Sequence, residues 1–228
     1  MKRAFASIVA VGLVAAVAAR PASAQTPPSA AEILDYSSLH TAAWTGDIAA
    51  IERLTAAGAG IDVRDGYSRT PLHIAAHARQ REAMRALVRL GADPRALDAH
   101  RYDTVTIAAV ADDVETMRVA LAIGADPKAI TSPYGGTALI AAAHLGHSEI
   151  VKVLIDAGAP LDHVNNLSWT ALIEAVILGD GGPRHQQTVS HLIAAGARRD
   201  LGDRSGVIPI EMARQRGYAA MVRILENK

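Results

Sequence analysis

The pair Gly-Ala recurs at residues 58–59, 91–92, 124–125, 158–159 and 196–197, at steps of 33, 33, 34 and 38. A second phrase runs in phase with it: "SSLHTAA" from Ser37, "TPLHIAA" from Thr70, "DTVTIAA" from Asp103, "TALIAAA" from Thr137, "TALIEAV" from Thr170 and "IPIEMAR" from Ile208. A third, "GHSEIVKVLI" from Gly146, has weaker copies from Arg79 and Asp112. A fixed period of this length means stacked supersecondary units, none of which buries its apolar face alone.

Each unit reads as helix, turn, helix, glycine stop and extended link. Thr70 sits where a helix N-cap belongs, with Pro71 at the first helical position, where a missing N–H costs nothing. Ala75 and Ala76 keep one helix face thin, so a neighbouring helix can come close. A polar break at 79–82 precedes a second apolar stretch, Met84 to Leu90. Gly91 falls where a helix end turns left-handed, which glycine does without steric penalty.

These phrases resemble the ankyrin repeat over residues 37–228, with approximate copies at 37–64, 65–97, 98–131, 132–164, 165–202 and 203–228. The resemblance implies an all-α repeat solenoid of about six helix-turn-helix units. Hairpin-like fingers link the units, and the inner helices line a concave face. Asp103-Thr104-Val105-Thr106 departs from the Thr-Pro-Leu-His phrase, and Arg79 and Asp112 replace an inter-helix glycine; both leave local loop geometry open. Polar Arg214, Gln215 and Arg216 suit the unstacked end of a solenoid. The fifth copy inserts Asp180 to Arg184 between its helices, and its glycines and proline read as a loop. A tolerated surface insertion and a second contact surface are both open readings.

The first 24 residues have the layout of a secretory signal peptide: Lys2 and Arg3, an apolar run from Ala4 to Ala19, then Ala22-Ser23-Ala24 as a cleavage site. Sixteen residues fall short of the roughly 20 that a spanning helix needs. Cleavage would leave Gln25 first and a periplasmic or secreted protein without a stable membrane anchor. Residues 25–30 read as a short disordered lead-in within the stretch 25–36 that precedes the repeats. Removing residues 1–24 leaves 20 basic against 23 acidic side chains, a net charge of −3. With no basic run, nucleic acid is not an expected partner. There is no cysteine, hence no disulfide and no lipid attached at one.

Chemistry is hard to find. His40 and His73 stand at the family's Thr-Pro-Leu-His position, where the side chain bonds neighbouring backbone. His144 and His147 make too few ligands for zinc, so neither a metal nor a cofactor is expected. No Gly-x-Ser-x-Gly elbow or phosphate loop appears, so no catalytic residue is assigned. The aromatic residues are more informative. By the family's register of variable contact positions, Tyr67 and Tyr134 take the earlier finger position, and Tyr102 and Trp169 the later one. Trp44 ends the first inner helix. Arg69, His77, His100, His144, Leu145, Leu167, Ile177 and Leu178 lie around them. Tyr, Trp and Arg dominate binding energy at protein interfaces. The expectation is a monomer that binds a protein partner through its fingertips and concave face, as inhibitor, protector or assembly factor of an exported enzyme. A scaffold without one specific partner remains an alternative, and an enzyme using the groove a remoter one.

Overall fold

The copies become pairs of antiparallel helices because side-chain caps or tight turns start the helices and a glycine or a turn stops them. The computed structural model describes residues 27–36 and 38–227; the signal-like residues 1–24 lie outside them. A short helix α1 (Ala30–Asp35) precedes six pairs: α2 (Ser38–Thr45) with α3 (Ile48–Ala56), α4 (Pro71–His77) with α5 (Arg81–Arg89), α6 (Thr104–Val110) with α7 (Val114–Ala122), α8 (Ala138–Leu145) with α9 (Ser148–Asp156), α10 (Ala171–Ile177) with α11 (Pro183–Ala194), and α12 (Pro209–Gln215) with α13 (Ala219–Glu226). First helices stack on first helices and second on second, giving an inner and an outer layer. The buried core runs the length of the stack between them. Its alanine pairs, Ala75/Ala76, Ala108/Ala109 and Ala142/Ala143, are 3% exposed or less. Each fully buried Leu or Ile in this core contributes about 1.5–3 kcal/mol.

The caps are local chemistry. The Thr137 and Thr170 hydroxyls accept from the N–H groups of Ile140 and Ile173. In the second copy, Thr70 N–H donates to His73 Nδ1, so Nε2 carries the proton and donates to the Tyr102 carbonyl at 3.1 Å. His40 Nε2 reaches the Arg69 carbonyl in the same way. The departing third copy uses different atoms for the same link. Asp103 accepts from Thr106 N–H, and the Thr106 hydroxyl meets the Thr131 hydroxyl at 2.6 Å. Burial pushes the Asp103 carboxyl up. The glycine replacements do not change the turn either. Arg79 and Asp112 adopt φ of 58° and 52°, the left-handed conformation found at Gly146.

Two segments differ from the sequence reading. The stretch 25–36 carries a helix that the reading left out, beginning at the end of the 25–30 segment: Ser29 and Glu32 form a capping box that starts α1 at Ala30. The fifth-copy insertion is only partly a loop. Gly182 is an N-cap and Pro183 the first residue of α11, so the insertion lengthens that helix to 12 residues.

Candidate partner-binding face

Five fingers join the pairs, and each is built on a side-chain-directed turn. Asp65 Oδ1 accepts from the N–H groups of Tyr67 and Arg69. Asp98 does the same for His100 and Tyr102, Asn165 for Leu167 and Trp169, and Asp203 for Ser205 and Val207. The third finger is one residue longer: Thr131 N–H donates to Gly136 O, with Ser132 Oγ accepting from Gly136 N–H. An isolated bridge pairs Ile130 with Thr137 at its base. Neighbouring fingers are tied by backbone bonds, Ala99 N–H to Tyr67 O and Asn166 N–H to Tyr134 O.

The register puts Tyr67, His100, Tyr134, Leu167 and Ser205 at the tips, all exposed. The four aromatics expected at finger contact positions, Tyr67, Tyr102, Tyr134 and Trp169, therefore split in two. Tyr67 and Tyr134 project, at 50% and 51% exposure. Tyr102 and Trp169 sit two residues later, at the finger base, and are half-buried; Trp169 and Trp44 pack against the core. His100 and Tyr102 stack with ring centroids 6.1 Å apart.

Arg69 requires a correction. It is 3% exposed and therefore offers no charge to a partner. Its guanidinium pairs with Asp65 at 2.7 Å and with Glu32 of α1, while Tyr36 Oη donates to Asp65. Burial alone would lower the Arg69 value, but the two carboxylates outweigh it and raise the net value. The unanticipated α1 is thus an end cap clamped to the first finger.

The inner-helix ends line the groove beside the fingers. His77, His144, Ile177 and Leu178 are half-buried there, and Leu145 is exposed. Burial pushes His77 down to about 4, with nearby Arg69 acting in the same direction. Burial also lowers His73. A histidine held below its ordinary value stays neutral in the fold, so its contribution is present above about pH 6.5 and is lost as pH falls toward the folded value. Stability is expected to drop by about 2 kcal/mol between pH 7 and pH 4.5 on this account. Urea titrations at those pH values should show a shallower loss for His77→Gln; coincident losses in variant and wild type would refute the assignment.

Sequence reasoning missed three apolar side chains on the fingers: Val63, Ile130 and Val164, all exposed. It also missed a polar chain linking finger and inner helices: Asn165 Nδ2 donates to Glu174 Oε1 at 2.9 Å, and Glu174 Oε2 lies 3.2 Å from His144 Nδ1. An acid amid an otherwise apolar helix phrase was the available signal. On the opposite edge, the inter-helix turns are laced together. His147 donates to Ala109 O, His185 to His144 O and Tyr218 Oη to Gly179 O. Arg184, from the insertion, bridges to Gly146 O and Asp112 and so braces three successive copies.

A family model described as ankyrin repeats (three copies) matches residues 39–131 and 105–203. A putative ankyrin repeat protein of Escherichia coli K12, YahD, is 38% identical over 85 residues, which are 37% of this chain and 42% of that relative. The chain thus matches less than half the length of that curated relative. An ankyrin repeat domain from Acinetobacter baumannii superposes with a TM-score of 0.77 at 42% identity, over 82% of this chain and 95% of that one. The ankyrin repeat domain of Bcl-3, a member of the IkappaB protein family, gives 0.76 at 29% identity, over 83% and 85%.

Proposed function

The chain belongs to the ankyrin-repeat family, and from that premise we propose that it docks a protein partner across its fingertips and the adjoining groove. Ankyrin repeats in general mediate protein–protein interaction without catalysis. One observation carries the reading. Among the described residues, the exposed large apolar side chains are Leu34, Val63, Tyr67, Ile130, Tyr134, Leu145, Val164 and Leu167. All but Leu34 lie on fingers or at an inner-helix end. The outer helices contribute none. Leu34 on α1 apart, the apolar exposure concentrates on the fingers and an inner-helix end, which is the mark of an interaction surface. The signal-like residues Met1–Ala24 make an exported protein the partner of choice, with this chain as its inhibitor, protector or assembly factor.

The test pairs stability with capture from a periplasmic extract. Tyr134→Ala and the triple variant Tyr67→Ala/Tyr134→Ala/Leu167→Ala should melt within about 0.5 kcal/mol per site of wild type, because tip side chains leave the core untouched. Affinity for the captured partner should fall by about 2 kcal/mol at Tyr134, roughly thirty-fold. Unchanged binding by the triple variant would move the partner to another surface.

A further inference from the structure

Glu174 is 5% exposed, yet no lysine or arginine among the described residues pairs with it. The other buried acids with ionic partners are matched by arginine: Asp65 by Arg69, and Asp113 by Arg81. At the Glu174 position the other inner helices carry Thr41, Ile74, Ile107, Ala141 and Met212, so no acid is required there to pack the stack. One role inside the fold is clear. Where three fingers begin with Asp, the fourth begins with Asn165, whose amide needs an acceptor, and Glu174 Oε1 supplies it. The second oxygen faces His144 Nδ1 at 3.2 Å. In the tautomer that carries its proton on Nδ1, His144 Nε2 presents a lone pair, and that nitrogen makes no hydrogen bond among the described residues. The ring is 29% exposed on the groove. The groove thus holds a partly exposed imidazole with a buried carboxylate behind it that no lysine or arginine among the described residues pairs with. Charge in a low-dielectric site is stable when paired.

We propose that this dyad is a subsite for a basic side chain of the docked protein, a lysine or arginine that donates to His144 Nε2 with the Glu174 charge behind the ring. The proposal rests on the docking reading above, since the cation belongs to the protein docked there. Charge complementarity selects the occupant: an acidic side chain there would face Glu174 across one imidazole. Asn165 also ties the subsite to the finger, its Oδ1 accepting from the backbone N–H of Trp169.

The test uses the whole protein and a small probe, so it does not depend on finding the partner. Nα-acetyl-arginine amide is titrated against protein with labelled histidine rings, with Nα-acetyl-glutamate amide as the anionic control. The expected result is a saturable shift of the His144 ring with the cation only, weakened at least five-fold by Glu174→Gln. That variant keeps an acceptor for Asn165 and removes only the charge. If it melts early, His144→Gln is titrated with the same cation by calorimetry instead, with the same five-fold criterion. Absence of a saturable shift, an equal response to the anion, or an unchanged affinity in the charge-removing variant each overturns the subsite. The fingertip variants contain no such probe, so failure of the docking reading shows separately.

Discussion

Arg69→Ala is expected to lower stability by about 3–5 kcal/mol, the cost of removing one member of a buried ion pair. The Arg69 and Asp65 side chains are 4% and 8% exposed, so water cannot replace the lost guanidinium. Burial alone would raise the Asp65 carboxyl. Hydrogen bonds from Arg69 and from Tyr67 N–H outweigh that and hold it below the ordinary carboxylate range. A carboxylate with a depressed value stabilises the fold at pH values above its unfolded value, and the gain disappears as pH falls through the folded value. Arg69→Ala should therefore lose stability at pH 7 and show less further loss on acidification below about pH 4. Glu32 loses its partner too, so α1 should become a site of early cleavage in limited proteolysis. Arg69→Met combined with Asp65→Asn should recover part of the loss, because no unpaired charge remains buried. Urea denaturation decides the matter: a cost below 1 kcal/mol for Arg69→Ala would mean the clamp does not stabilise the fold.

Gly179→Ala should be nearly as damaging, by about 2–3 kcal/mol, through overpacking. A Cβ there would lie 2.2 Å from the Ala175 carbonyl oxygen and 2.7 Å from the His185 ring. The backbone oxygen cannot move without unwinding the end of α10. His185 cannot move without losing its bonds to His144 O and Asp180. The Tyr218 bond to Gly179 O would shift with them. A drop in melting temperature of roughly 5–10 °C corresponds to this cost in a chain of this size. Gly91→Ala is the useful contrast. Nothing lies within 4 Å of its Cβ, and only its φ of +102° opposes substitution. That variant should lose only about 1 kcal/mol. Equal melts for the two variants would mean that the Gly179 site relaxes.

What the sequence alone determined here is whatever depends on a residue and its near neighbours. The phrase "TPLHIAA" carries its cap, its helix and its thin face within seven residues, and "GAD" carries its stop. The period turns one such unit into a stack, because the apolar faces require it. Finger tips were legible for the same reason: the turn that exposes Tyr67 and Tyr134 is made by an Asp or Ser within two residues of each tyrosine. Only the tertiary structure decided what depends on the next copy along. Arg69 shares its composition with interface residues, but Glu32, 37 positions earlier, joins Asp65 in burying it. Trp169 occupies a contact position by register, yet it packs against the core. The glycines of "GDGGPRH" look like those of a loop. Gly179 is small because α10 ends against His185, and Pro183 begins a helix because its missing N–H is an orphan at that point. Glu174 has meaning only beside Asn165 and His144, which come from a finger and from another helix. In a stack, local chemistry sets where each helix begins and ends. Burial and pairing belong to the neighbours, and the spacing of repeats does not reveal which side chains those neighbours present.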